Sequence, residues 1–454
     1  MSARGLEADR LRQQFAGAGF EADDADGRAR LVLQSAQALA QLAGGGPPRW
    51  AWFVPGRIEI FGKHTDYAGG RSLLCTVPRG FAVVARPRDD TRVRVVDARW
   101  RQGTTIDLGS HPTEPAGWSR YVAVVARRLA LDFPGAALGA DIALASDLPT
   151  SAGLSSSSAL VVALSLVLIR RGDLERRPEW PQALPTTQDL AGYLGAVENG
   201  LTFKSFTSAP GVGTDGGSED HTAILLCRAG QVSAYSYLPV VHHGDAEMPD
   251  GWRFVVLESG IQAAKASGAR DQYNRASRGT RAILSAWHAE FSGAHPHLAA
   301  ALREAAAVVP AFSASLASKS AEGFEGEALV RRLAHFIAED ARVPEALEAF
   351  RRSDRGGISE LADASQRDAE MLLDNQIPET IALVRLAREA GAFAASSFGA
   401  GFGGSVWALV DAAGATDFAT RCADAYGARF PAIPRMSPFT CRPGRAAMEI
   451  ELAE

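Results

Sequence analysis

The 454-residue chain is 46% hydrophobic and carries 47 basic against 52 acidic residues, a net charge of −5. Single cores stop growing near about 250–300 residues, so two domains are expected, and the near balance of scattered charges excludes a basic footprint for nucleic acid or an anionic membrane surface. Four cysteines without a C-x-x-C pair argue against a zinc site and a disulfide framework. A charged N-terminal start, and no window near about 18 uninterrupted apolar residues, lead us to expect a cytoplasmic protein that neither is exported nor spans a membrane.

In chain order, residues 6–44 read as one or two amphipathic helices, closed by the breaker run Gly44 to Pro48. "RWAWFVPGRIEIFG", "RSLLCTVPRGFAVVARP" and "TRVRVVDA" then read as strands of one sheet, and "GADIALASDLP" adds another. "ALVVALSLVLIRR" is an almost wholly apolar helix that must be buried. "HTAILLCRAGQVSAYSYL" and "WRFVVLES" read as further strands. A helical region is expected from about Ala263 to Ala390, with breaks near Gly293 and Gly356, before the glycine-rich "SSFGAGFGGSVWALVDA" leads into a late strand. The first domain therefore opens rich in strands, and the chain has no internal repeat.

Three stretches carry chemistry. From Gly56 the chain reads "GRIEIFGKH", one letter from the phosphate-loop pattern G-x-x-x-x-G-K-[ST], with His64 where a hydroxyl belongs. Arg57 to Phe61 is a period-2 strand rather than a glycine-rich turn, so the near match is accidental. Lys63, His64, Asp66 and Tyr67 follow it closely, and a polar cluster at a strand mouth suits either a hydroxyl-rich ligand or a solvated loop. In "DLPTSAGLSSSSALVVAL", Ser155 to Ser158 fall on the first turn of the apolar helix, where free backbone N–H groups and the helix dipole bind anions. The alternative, a flexible serine-rich linker, is hard to join to so apolar a helix. "GAGFGGS", Gly399 to Ser405, is a loop able to approach a ligand closely, a weak sign alone.

Together, "GRIEIFGKHTDY", "GLSSSSAL" and "GAGFGGS" resemble the three signature motifs of the GHMP small-molecule kinases, and the first resembles the sugar-binding signature of galactokinases. The resemblance implies a two-domain α/β (α+β) kinase fold with a left-handed βαβ crossover and its active site in the interdomain cleft. We place an N-terminal helical arm at 1–48, an N-terminal kinase domain at 49–240 and a C-terminal domain at 241–454. The implied activity is phosphoryl transfer from ATP, with magnesium, to a sugar hydroxyl, the anomeric one of galactose or a close relative. The implied state is a monomer whose partners are the sugar and ATP.

By the same resemblance, Asp220 matches the catalytic aspartate, although Glu219 beside it leaves a one-residue slip open, and Arg57 lies by the reacting hydroxyl. A capping or turn role is the alternative for Asp220. Lys63, His64, Asp66, Tyr67, Gly217 and Tyr273 are matched to sugar contacts. Gly153, Leu154, Ser155, Ser156, Ser157, Ser158, Gly401 and Gly403 are matched to the nucleotide site, and Ser157 and Glu198 to magnesium, a hard ion suited to oxygen.

Departures matter as well. Galactokinases carry a glutamate where this chain has Lys63, contacting the exocyclic C6 hydroxyl. An ammonium donates and pairs with anions, so the change raises galacturonate or another sugar acid as substrate, unless Lys63 turns outward or pairs with a nearby acid. The link "TFKSFTSAPGVGTDGG" is longer than is usual in the family, and the stretch around Tyr273 departs from it. A non-catalytic sugar- and ATP-binding regulator is the alternative of a different class, disfavoured by the presence of Arg57, Asp220, Glu198 and the serine-rich helix start together.

Overall fold

The computed structural model describes residues 7–99, 101–110, 114–149, 153–261, 269–291 and 293–452. Twelve strands are present among them: β1 (Trp50–Phe61), β2 (Arg71–Pro87), β3 (Arg92–Asp97), β4 (Gly103–Asp107), β5 (Ala140–Ser146), β6 (Gln231–Ser236), β7 (Val241–Glu247), β8 (Trp252–Glu258), β9 (Ala394–Phe398), β10 (Ser405–Asp411), β11 (Phe439–Cys441) and β12 (Met448–Glu449). Eight form one sheet, ordered β12-β1-β2-β5-β3-β4, with β6 and β7 continuing from the far part of β2; four form a second, β11-β8-β10-β9. Every pairing is antiparallel except β3 with β5.

The first sheet is covered on both faces, and β1 shows how the sequence arranges this. Ala51 and Phe53 pack under the N-terminal helices Ala8–Gly17 and Ala22–Gln41 with Phe15, Val32 and Leu39, whereas Trp52 and Val54 enter the main core. The alternation is that of a strand buried on both faces. Beyond a bulge between Pro55 and Arg57, Ile58 and Ile60 stay in the core, while Arg57 and Glu59 line a cleft. The apolar helix Ser156–Gly172 packs in that core with the strands, as its composition requires. The strand reading of Arg57 to Phe61 also holds, which disposes of the phosphate-loop match.

Some expectations need correction. "HTAILL" is not strand but the end of helix Glu219–Leu226, whose two acidic residues sit in the first turn, where the helix dipole favours them. The strands β4, β7, β9, β11 and β12 were not expected. β4 is a short, largely polar edge, and β9 is built from "AASSF", whose small residues carry little strand propensity. β7 lies beyond residue 240 yet belongs to the first sheet. The helical region comprises Ala269–Glu290, Leu298–Glu304, Val309–Leu316, Gly326–Arg351, Arg355–Asp368 and Pro378–Glu389. Its second break falls just before Gly356, because Asp354 caps the next helix by accepting from the Gly357 N–H at 2.9 Å. Residues 262–268, in the expected helical start, lie outside the described residues. No single helix among the described residues is long and apolar enough to cross a membrane.

Candidate active site

A cleft of about 320 Å³ opens where β1 ends. Its walls come from the turn after β1, the starts of helices Ser156–Gly172 and Glu219–Leu226, the long link before Gly217, helix Ala269–Glu290 and the loop at Gly399 to Phe402. Of the residues matched to function, Arg57, His64, Asp66, Tyr67, Ser157, Ser158, Glu198, Gly217, Asp220, Tyr273 and Gly401 all line it.

At its floor Arg57, 6% exposed, bonds Asp220 through Nε at 2.8 Å and Nη2 at 2.7 Å. A third bond, from Nη1 to the Gly153 carbonyl at 2.5 Å, fixes the guanidinium against the loop that precedes the serines. Burial disfavours its charge, but Asp220, Glu219 and Glu59 reverse that and raise its pKa. Reciprocally, against the cost of burial, Arg57 holds the Asp220 carboxyl below its usual range. Ser158 Oγ donates to the other Asp220 oxygen at 3.1 Å. The two neighbouring acids differ in their surroundings. Asp220 is the ionised carboxylate bound by arginine, whereas Glu219 is buried, bonded by Ser72 Oγ at 2.6 Å, and pushed well upward by burial and then by Glu59.

Two further carboxyls face the same space. Glu59 accepts from the Gly399 N–H at 2.8 Å and is raised by burial to about 7. Asp66 accepts from the Glu219 N–H at 3.3 Å and is raised to about 6 by burial and by Asp220. The glycines of the link permit this approach: a Cβ on Gly217 would stand 2.4 Å from Asp66 Oδ2, and one on Gly216 2.8 Å from the Tyr273 hydroxyl. Tyr273 packs its ring 5.2 Å from that of His64, completing an apolar wall beside the acids.

His64 has both ring nitrogens engaged. Nε2 lies 3.1 Å from the Ala400 carbonyl and so must donate, leaving Nδ1 to accept from the Tyr67 hydroxyl at 3.0 Å. Burial, and next Arg332, push its pKa down to about 3, so the ring is neutral. Its place in this structure is to tie the first motif to the third.

Lys63 does not line the cleft. The residue is 1% exposed, and its ammonium donates to Ser365 Oγ at 2.5 Å and Ser396 Oγ at 2.9 Å. Ser365 passes the chain of bonds to Glu339, which also accepts from the Gly62 N–H at 3.0 Å. Lys63 therefore neither faces the cleft nor turns outward: two serine hydroxyls hold its ammonium, and Ser365 links it indirectly to Glu339, because the turn at Gly62 directs it into the helical layer.

Gly153, Leu154, Ser155, Ser156 and Gly403 likewise stand behind the cleft. Leu154 accepts from the Arg57 N–H at 3.2 Å, and Ser155 is the left-handed N-cap of the buried helix, at φ 59°. Gly403, at φ 130°, sits where a Cβ would meet the Ile261 carbonyl at 2.6 Å. Gly401 requires its glycine similarly, a Cβ there lying 2.4 Å from the Asn375 carbonyl.

Ser157 and Glu198 present hydroxyl and carboxylate oxygens to one end of the cleft, where the buried Glu198 Oε2 lacks a hydrogen-bond partner. No trio of His, Cys, Asp or Glu able to hold an ion alone occurs among the described residues. One carboxylate and one hydroxyl fit magnesium of the kind completed by phosphate oxygens and water. Sequence reasoning passed over Glu59, Tyr121 and His221. Glu59 was within reach, since it alternates with Arg57 on the same strand.

Comparison with known proteins matches these features segment by segment. The galactokinase galactose-binding signature covers residues 40–87, the GHMP kinases N terminal domain 120–183 and the GHMP kinases C terminal model 346–428. A galactokinase of Actinobacillus pleuropneumoniae serotype 3 (strain JL03) is 31% identical over 363 residues, covering 79% of this chain and 84% of that protein. One from Exiguobacterium sibiricum is 27% identical over 415 residues, 88% and 94% of the two chains. In fold, the crystal structure of Lactococcus lactis galactokinase complexed with galactose superposes with a TM-score of 0.73 at 22% identity, over 91% of this chain and 98% of the other. Mevalonate kinase of L. major gives 0.51 at 16% identity, over 88% and 98%. With the family's three motifs gathered around one cleft and a relative of this identity along most of its length, the chain belongs to the galactokinases of the GHMP kinase family.

Proposed function

We propose that the protein transfers the γ-phosphoryl group of ATP to the anomeric hydroxyl of galactose, with magnesium. The observation that carries the reading is the Arg57–Asp220 pair on the cleft floor, with Ser158 on the second Asp220 oxygen. The galactose-binding signature that spans Arg57, and relatives named galactokinase, support the choice of sugar.

The chain's own residues account for most of what such a transfer requires. ATP brings the phosphoryl group and magnesium the neutralising charge. The first turn of helix Ser156–Gly172, with Ser157 and Ser158, would offer unpaired N–H groups to the phosphates, and Glu198 and Ser157 would hold the ion. The acceptor oxygen would lie against Asp220, which would take its proton as the new O–P bond forms and the bond from the γ-phosphorus to the bridging oxygen breaks, releasing ADP. Arg57 keeps that carboxylate ionised beforehand and stabilises charge on the oxygen during transfer. Glu59, raised to about 7, is able to donate as well as accept toward sugar hydroxyls near neutrality, and Asp66, raised to about 6, mainly accepts.

A neutral sugar suits this pocket better than a sugar acid. Lys63 is committed elsewhere and Arg57 to Asp220, Arg270 is an exposed lining residue, and a uronate would enter among Glu59, Asp66 and Glu219. Phosphorus-31 NMR of the product from galactose tests the proposal. A sugar 1-phosphate resonance is expected, and phosphate on another carbon, or no ester at all, would reject it.

A further inference from the structure

His221 is used by nothing described so far, yet it is well placed. It follows Asp220 directly in helix Glu219–Leu226, lines the cleft and is 2% exposed. Its Nε2 stands 2.9 Å from Glu198 Oε2, but neither atom makes a hydrogen bond, and His221 Nδ1 is also buried without a partner. A structural histidine so deeply buried would have its nitrogens bonded. Near Glu198, the Tyr121 hydroxyl is bonded to the Ser157 side chain, and both residues line the same cleft.

A separation of 2.9 Å without hydrogen-bond alignment has a natural meaning. Two ligands about 2.1 Å from one ion and at right angles to it lie about 3.0 Å apart, the edge of an octahedron. Both atoms carry lone pairs suited to an ion.

Resting on the kinase reading above, we propose that His221 is a direct nitrogen ligand, beside Glu198, of the divalent cation that accompanies the nucleotide. Ser157, phosphate oxygens and water complete the shell. Imidazole binds first-row transition ions far better than magnesium, whose preference is for oxygen, so the site favours Mn²⁺ over Mg²⁺. The cation's preference is then set by a residue of the catalytic helix itself.

Pulsed electron paramagnetic resonance of Mn²⁺ bound to the full chain with the β,γ-imido analogue of ATP reads this contact directly. Strong ¹⁴N modulation from a coordinated imidazole is expected, changing to the ¹⁵N pattern when the protein is grown with ¹⁵N-histidine. In His221→Gln the modulation disappears, and the ratio of Mn²⁺ to Mg²⁺ affinity, by calorimetry, falls about tenfold. Mn²⁺ bound in the wild type without histidine ¹⁴N coupling overturns the inference and leaves the kinase reading standing, whether or not the variant folds. Coupling that survives in His221→Gln overturns it too. Absence of any nucleotide-dependent Mn²⁺ binding overturns both together.

Discussion

Replacing Lys63 by methionine removes a buried ammonium while keeping most of its volume. Glu339, itself fully buried, would lose the charge that contributes most to holding its carboxyl down near 2 against the opposing effect of burial. Breaking a buried ion pair from one side costs about 3–5 kcal/mol, an upper range here because Lys63 reaches Glu339 through Ser365 rather than by direct contact. Here Arg342 remains 2.8 Å from Glu339, and the Gly62 N–H still donates to it, so the loss should fall at the lower end, about 3 kcal/mol. Urea denaturation of wild type and Lys63→Met measures it. Galactose turnover per folded molecule should stay close to wild type, and Lys63→Glu, though still less stable, should show no shift from galactose toward galacturonate. A loss below about 1 kcal/mol, or a clear shift in sugar preference, would refute the placement of Lys63 in the helical layer's ion network.

Glu59→Gln tests the acid cluster through pH. A carboxyl raised from 4.5 to about 7 binds its proton more tightly in the folded state, so its contribution to stability is lost as pH rises from 4.5 through 7. The variant should therefore flatten that decline, read as melting temperatures at pH 5 and pH 8; an unchanged slope would exclude Glu59 as its source. The opposite sign applies to Glu339, whose depressed pKa of about 2 gives stability that is present above 4.5 and lost as pH falls toward 2, a loss that Lys63→Met should reduce. Gly217→Ala places a methyl 2.4 Å from Asp66 Oδ2, so kcat/KM for galactose should fall about tenfold to a hundredfold. Unchanged kinetics would show that Asp66 is free to move without consequence.

Much of this was legible in the sequence, and the exceptions have physical causes. The period-2 pattern of "RIEIF" identified β1 and ruled out a phosphate loop, and the apolar run after Ser158 could only be a buried helix. Arg57, Asp66, Ser157, Glu198 and Asp220 converge on one cleft as their motifs implied. Lys63 was misdirected because a motif position conveys proximity to the site and not the direction of a side chain. Its outcome depended on Ser365 and Glu339, residues some 300 positions later in the chain, whose approach no local pattern announces. His221 to Leu226 read as strand because Thr222 and Ile224 are β-branched and the run continues into β6, while the helix is only two turns long, where tertiary packing outweighs propensity. Glu59 and His221 were missed for a simpler reason. Each lies beside a residue already matched to the family pattern, and that pattern gave no cause to look at its neighbours.

The most direct measurement is sugar-dependent ADP release with magnesium and ATP, comparing wild type with Asp220→Asn on galactose and galacturonate. The account predicts turnover on galactose well above that on galacturonate, falling about 10²- to 10⁴-fold in kcat in the variant. Turnover that persists in Asp220→Asn, or that appears only with galacturonate, would contradict the assignment of the Arg57–Asp220 pair as the catalytic centre of a galactose kinase.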